Sequence, residues 1–283
     1  MTETTITETG AAQALPKSLS PSRMSDWKKC PKAFHFKSIL RVPTKPTEAQ
    51  IKGTLVHAVL EQLFDHQRPE RTVETAHGLI PGCWAELRSE PQYAELIASL
   101  AETAFLAEVR QLVTNYFSME NPQGFDPEGR EMWVRGTVND MPLIGVIDRL
   151  DSHELPDGAT RVFISDYKTG KVPKVKFQDE AFFAMRVYAL MRHQAGEHTD
   201  RLRLVYVKEG SREAVLRSEI DEKVLARTEK DVAKIVSEIR AAHATDTWPT
   251  KVGPLCGWCD YKGICPEFAN EAPPPQYQRV TPW

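Results

Sequence analysis

"VFISDYKTG", residues 162–170, is the stretch on which the fold turns. Side chains of a β-strand alternate sides, so Val162, Ile164, Asp166 and Lys168 share one face. In "PLIGVIDRLD", residues 142–151, the same parity sets Asp148 beside Ile144, Val146 and Leu150. Two adjacent strands thus each carry a carboxylate on an otherwise apolar face. A buried, unpaired carboxylate is costly, so each needs a partner. Lys168 could be that partner in a plain salt bridge. A divalent cation is the other candidate, because magnesium takes hard oxygen ligands, often one or two carboxylates, with water and phosphate completing the shell. A lysine beside such an ion could orient or help deprotonate an attacking water and stabilise charge on a phosphate.

Outward from these strands the period changes. "MWVRGTV" (132–138) and "PLIGVIDRLD" are β-rich and joined by Asn139-Asp140, a hairpin signal. "LPDGAT" marks a turn, and "RVFISDYK" and "RLRLVYVK" supply a third and a fourth strand. On the N-terminal side, Ser20 and Pro21 start a helix, and Pro31 starts a short second one. "GTLVHAVLEQLF" (53–64) is amphipathic, with Leu55, Val56, Val59, Leu60, Leu63 and Phe64 in one stripe. Residues 93–117 predict a longer helix. "FQDEAFFAMRVYALMRH" reads as one buried helix, and "DEKVLARTEKDVAKIVSEIRAAH" as an amphipathic closing helix. The expected fold is mixed α/β: a β-sheet core flanked by helices, with no boundary demanding a second domain. Residues 1–17 and 269–283 lack periodicity and are expected to be mobile, leaving 18–268 as one domain.

The chain has 283 residues, 41% of them hydrophobic, which is enough for a sizeable core. Net charge is only −3, so any polyanion must be held in local basic grooves. Lys28, Lys29, Lys32 and Lys37 form one lysine cluster, and Lys168, Lys171, Lys174 and Lys176 another; on charge alone both are ordinary solvated faces. No apolar run approaches membrane-span length, and the start of the sequence lacks a secretory pattern. Five cysteines without such a signal argue for reducing cytoplasm and against a disulfide framework.

"CGWCDYKGIC" places Cys256, Cys259 and Cys265 within ten residues, a strong metal signal that wants a fourth ligand. Cys30, in a basic Cys-Pro context, suits that place better than Cys83, which reads as a small buried hydrophobe. Joining Cys30 to the trio would clamp the N-terminal helices to the C-terminal segment. Zinc and iron–sulfur both remain possible, with the spacing leaning slightly toward iron–sulfur. His57 lies at the edge of the apolar stripe, where a histidine is more often simply packed and hydrogen-bonded. Gly53 and Ala58 nevertheless leave room for another element to approach.

Taken in order, "SPSRMSDWKKCPKAFHF", "GTLVHAVLE", "IGVIDRLD", "ISDYKTG" and "CGWCDYKGICP" resemble the RecB-like nuclease family of the PD-(D/E)xK superfamily, in its iron–sulfur branch. CRISPR-associated RecB-like exonucleases and AddB-type nuclease domains are similar. The resemblance implies a restriction-endonuclease-like core and a metal-dependent DNA exonuclease. By motif, His57, Asp148, Asp166 and the carbonyl of Tyr167 would bind Mg²⁺ or Mn²⁺, and Lys168 would activate the attacking water. Cys30, Cys256, Cys259 and Cys265 would hold a structural [4Fe–4S] cluster. The family also carries Gln-x3-Tyr on the following helix; Tyr188 fits, but Ala184 stands where the glutamine belongs. That departure keeps open a binding or adaptor protein that retains fold and cluster. No G-x4-G-K-[S/T] occurs, so unwinding of duplex would need a separate helicase, and the expected substrate is single-stranded DNA or duplex ends.

Overall fold

The computed structural model describes residues 14–154 and 158–268. Most of the expected mobile N-terminus, the whole 269–283 tail and part of the "LPDGAT" turn lie outside them.

The N-terminal region is helical. Ser20 caps α1 (Pro21–Lys29), its Oγ accepting from Arg23 N at 3.2 Å. α2 (Pro31–Phe34) follows and continues as a π-helical turn over His35–Ile39. Thr47 and Gln50 form a reciprocal capping box on α3 (Glu48–Leu63), whose expected stripe is fully buried. α4 (Val73–Arg88) was not apparent in the sequence, because Gly78, Pro81 and Gly82 break its helical signal. The helix expected over 93–117 is two: α5 (Ala94–Ser99) and α6 (Glu102–Met119), parted by extended backbone at Leu100. α3, α4 and α6 pack on one another as a helical layer.

The sheet comprises β1 (Gly129–Val138), β2 (Met141–Glu154), β3 (Thr160–Lys168), β4 (Arg201–Tyr206) and β5 (Val215–Glu219), in that spatial order. β3 and β4 are parallel and every other pair is antiparallel. The parallel step needs a crossover, and residues 169–200 supply it through α7 (Gln178–Ala181) and α8 (Phe183–Gln194). The single helix expected there is interrupted at Phe182. β5, too short and charged to register as a strand in the sequence, forms the edge. α9 (Glu222–Ala244), capped by Asp221, packs on α8.

Asn139 and Asp140 both have positive φ, 49° and 55°, as a two-residue hairpin turn requires. That turn fixes the β1–β2 register: Val138 pairs with Met141, Met132 with Ile147 and Arg130 with Arg149. α8 lies close against the hairpin. A Cβ on Gly145 would come within 2.4 Å of the Tyr188 ring, so only glycine admits that contact.

One expectation about the faces is corrected. On β2 the buried residues are Met141, Leu143, Gly145, Ile147, Arg149 and Asp151, with Leu150 from the other face, whereas Ile144, Val146 and Asp148 are only half-buried. Asp148 therefore stands on the more open side of the strand. The deeply buried charges are Arg149 and Asp151, which the sequence reading had not assigned a role.

One contiguous core runs from Leu19 to Trp248. The N- and C-terminal regions meet by packing: Trp248 contacts Trp27 and Phe34, and Tyr261 joins Phe36 and Val42 in a satellite cluster. A metal staple is not shown by these contacts. Among the described residues, no helix is long and apolar enough to cross a membrane.

Candidate active site

β2 and β3 pair from Arg149–Ser165 to Glu154–Thr160 and then separate. Leu19 fills part of the gap, bridging to Leu143. At the point of separation, Asp148 Oδ2 accepts a hydrogen bond from Tyr167 N at 3.1 Å. The side chain of Asp148 thus replaces a strand-to-strand bond and faces the opening.

α3 delivers the imidazole. Gly53 brings the helix close to Thr169, just past β3, and one turn later His57 reaches the strand. His57 Nε2 lies 2.9 Å from the Tyr167 carbonyl oxygen. A carbonyl can only accept, so Nε2 carries the proton. Nδ1 stands 3.3 Å from Asp148 Oδ2, an arrangement that calls for a proton or a cation between them.

Glu131 completes the cluster. One ligand atom from each of His57, Glu131 and Asp148 lies within 4.8 Å of the other two. Sequence reasoning missed Glu131, although the signal existed: counting back from the Asn139-Asp140 turn places it directly across from Asp148. Its φ of 45° lies in the left-handed region, unusual for a non-glycine strand residue and a strain of about 1–2 kcal/mol.

Asp166 sits outside that trio. Its Oδ2 forms an ion pair with Lys168 Nζ at 2.5 Å, which draws the carboxylate toward the lysine. Burial alone would lower the Lys168 pKa, but Asp166 and then Asp148 hold it above the ordinary lysine value. Lys168 is therefore an ammonium at neutral pH, with 41% of its side chain exposed toward the opening. Tyr188 borders the same carboxylates: burial first, then Asp166, Asp148 and Glu131, raise its pKa. Four of the expected residues, His57, Asp148, Asp166 and Lys168, thus converge with the Tyr167 carbonyl, and Tyr188 stands beside them.

Negative charge is concentrated here. Asp148 is pushed up to about 6 by burial and then by Asp166; Glu131 is pushed up to about 7 by burial, then Asp148 and Glu61. Carboxylates crowded beside an imidazole lone pair fit a hard divalent cation. A raised carboxylate pKa means that the folded state prefers the protonated form. The associated stabilisation is complete below the unfolded values near 4 and is lost as pH rises through about 6 to 7. In thermal melts with chelator present, the Tm is expected to fall between pH 5 and pH 8, and Mg²⁺ or Mn²⁺ should restore it at pH 8. A Tm independent of pH and cation would contradict this site.

Behind the sheet lies a second charge cluster. Arg149, 1% exposed, forks onto Glu120 at 2.8 and 3.1 Å, binds Asp151 at 2.9 Å, and donates to the Tyr167 hydroxyl at 2.5 Å. Arg203 also contacts Glu120 and Asp151. Alternation along the strands turns Arg149 inward beside Asp148 and the Tyr167 ring inward beside Asp166, so both acidic positions are anchored from behind.

The four expected cysteine ligands line one cavity at the junction of the terminal regions. Burial, offset in part by a backbone hydrogen bond, raises the Cys259 pKa, and nearby Cys30, Cys265 and Cys256 add to the rise. Among the described residues no three cysteine sulfurs all lie within 4.8 Å of one another, so they are not drawn together as ligands of a single ion. Cys83 is buried apart, its pKa pushed up to about 11 by burial.

No curated protein matches the chain. Among solved structures it is similar to a candidate exonuclease from Eubacterium rectale, 10% identical over 87% of this chain and 88% of that one, with a TM-score of 0.54. It also resembles the structure of SSO0001, 12% identical over 91% of this chain and 89% of the other, at a TM-score of 0.40. The first likeness speaks for the fold alone. A family model described as the PD-(D/E)XK nuclease superfamily matches residues 18–266, taking in the helix that carries His57, both acidic strands and the cysteines. With so much of the sequence matched, and an acidic, lysine-bearing strand pair at its centre, this chain belongs to the PD-(D/E)XK nuclease superfamily.

Proposed function

We propose that the chain is a Mg²⁺- or Mn²⁺-dependent DNA exonuclease that hydrolyses phosphodiester bonds on single-stranded or frayed ends. The observation that carries this reading is the convergence of His57, Glu131 and Asp148 ligand atoms beside the Lys168–Asp166 pair. The family match and the fold shared with a candidate exonuclease support it.

Asp148, Glu131 and His57 Nδ1 would hold the cation, with Asp166 adding charge, while the Tyr167 carbonyl, bonded to His57 Nε2, would orient the imidazole. When bound, the cation supplies Lewis-acid polarisation of the phosphate and lowers the pKa of water. Lys168, kept protonated, donates hydrogen bonds to the attacking water and a phosphate oxygen and stabilises the charge that builds as the P–O bond breaks. It orients the water; its raised pKa argues against a role as the base. Arg149 holds Tyr167 from behind, which keeps the carbonyl on His57.

Cys30, Cys256, Cys259 and Cys265 would hold a [4Fe–4S] cluster with a structural role. Four thiols line one cavity, and three close cysteines with a fourth distant in sequence lean toward a multi-iron group over one zinc. Anaerobically purified protein is then expected to carry about four iron and four sulfide per chain. Stoichiometric zinc would argue against the cluster.

The deciding assay incubates end-labelled single- and double-stranded DNA with Mn²⁺, comparing wild type with Lys168→Ala. Labelled mononucleotide or short products from wild type alone support the exonuclease. Salt-sensitive DNA binding without cleavage under any divalent ion would favour the adaptor reading that Ala184 suggests. Duplex degradation would require a separate helicase.

A further inference from the structure

The cavity that the four cysteines border has a volume of about 870 Å³ and a lining unlike that of the carboxylate site. Trp258 and Phe177 face it and are 83% and 54% exposed, a large aromatic area left uncovered. Six lysines surround them. Lys28 is neutralised by Glu180 and Lys37 by Asp26. Lys29, Lys32, Lys251 and Lys262 have no carboxylate within salt-bridge distance among the described residues, although Asp260 and Glu267 also line the cavity, which leaves six lysines against four carboxylates.

From these observations we infer that the part of the cavity between Trp258, Phe177 and the lysines, outside the four thiols, is a stacking cradle for single-stranded nucleic acid. The inference deepens the nuclease reading and rests on it for the choice of a nucleic acid. Charge and shape select the occupant. Uncompensated ammonium groups suit phosphates, and exposed rings between them suit unpaired bases, whose faces are free to stack. Bases in a duplex are already stacked on their neighbours and cannot use the rings. An apolar partner helix would match the rings but would leave the surplus of positive charge unmatched.

Position links the cradle to the acidic cluster. On α3, Gln50 lines the cavity, Gly53 touches Thr169 just beyond Lys168, and His57 reaches the carboxylates. Gln50 and His57 are seven residues apart, about 10 Å along a helix, or roughly three stacked nucleotides. Phe177 lies on the segment that leaves β3 after Lys168. A strand whose scissile phosphate sits at Asp148 would therefore arrive at the Gln50 edge of the cavity within about three nucleotides.

The test measures anisotropy of a fluorescein-labelled oligothymidylate, and of a labelled duplex, on the full chain without added divalent cation. Trp258→Ala and Phe177→Ala are each expected to weaken binding of the single strand by roughly tenfold, with the salt slope unchanged and duplex binding unaffected. Trp258→Phe, which keeps a stacking face, should restore most of the affinity. Lys32→Ala should lower the salt slope by about 0.7. Loss of affinity that Trp258→Phe does not rescue would assign Trp258 to structure and overturn the inference. So would aromatic variants with wild-type affinity, or a preference for duplex. Because no cleavage occurs in this assay, its outcome is separable from the nuclease reading: aromatic-dependent binding by a wild-type protein that cuts nothing would overturn only the latter.

Discussion

Asp148→Asn is expected to abolish cleavage while making the metal-free protein harder to melt. The substitution removes one of the charges that would bind the cation and leaves the side chain's size unchanged. Loss of cation-assisted charge stabilisation is worth several kcal/mol, which corresponds to a fall of about 10³-fold or more in kcat/KM. Stability moves the other way. Asp148 is repelled by Asp166 and desolvated by burial, and both effects vanish with the charge. The asparagine oxygen can still accept from Tyr167 N, so the bond that closes the gap between β2 and β3 persists. At pH 8 with chelator the variant should melt above wild type, and added Mn²⁺ should stabilise it less than it stabilises wild type. Wild-type cleavage by Asp148→Asn would remove the carboxylate from the mechanism. A lower Tm would show that repulsion is not what limits the apo fold. Opposite signs for activity and stability are what a site held against its own electrostatics should give.

Arg149→Met is expected to have the largest effect on folding. Arg149, Arg203, Glu120 and Asp151 form a balanced group of two positive and two negative charges beneath the sheet. Removing one guanidinium leaves two buried carboxylates facing one arginine. Breaking a buried pair in this way costs about 3–5 kcal/mol, a large share of the 5–15 kcal/mol that typically separates folded from unfolded states. Urea denaturation should show the midpoint collapsing. Replacing Asp151 by leucine in the same chain should recover part of the loss, because it removes one of the orphaned charges. A loss under about 1 kcal/mol for Arg149→Met would mean that water enters the network and solvates the carboxylates. Any folded remainder should bind Mn²⁺ more weakly, since the Tyr167 ring loses its anchor and its carbonyl is no longer held against His57.

Where local chemistry acts alone, the sequence was legible. Ser20 and Pro21 start α1, the Leu55-to-Leu63 stripe buries one side of α3, and Asn139-Asp140 makes the hairpin turn. Departures have local causes too. Glycine and proline within α4 disguised a helix that tertiary packing nevertheless forms, and extended backbone at Leu100 divided a pattern that looked continuous. The face assignment on β2 failed for a different reason. Alternation tells which residues share a side, but not which side meets the core, and in β2 the inner side carries Arg149 and Asp151.

The sequence by itself determined the partners across the β1–β2 hairpin, and with them the opposition of Glu131 and Asp148, because a two-residue turn leaves no freedom in the register. It likewise set Asp166 and Lys168 two residues apart on one strand face. Only the tertiary structure decided that α3 would bring His57 to the Tyr167 carbonyl, that β3 would part from β2 beside Asp148, and that Glu120, just past the end of α6, would neutralise Arg149. Those placements depend on how helices and sheet pack over long stretches of chain. Periodicity reports which side of an element is apolar and is silent about which neighbour covers it.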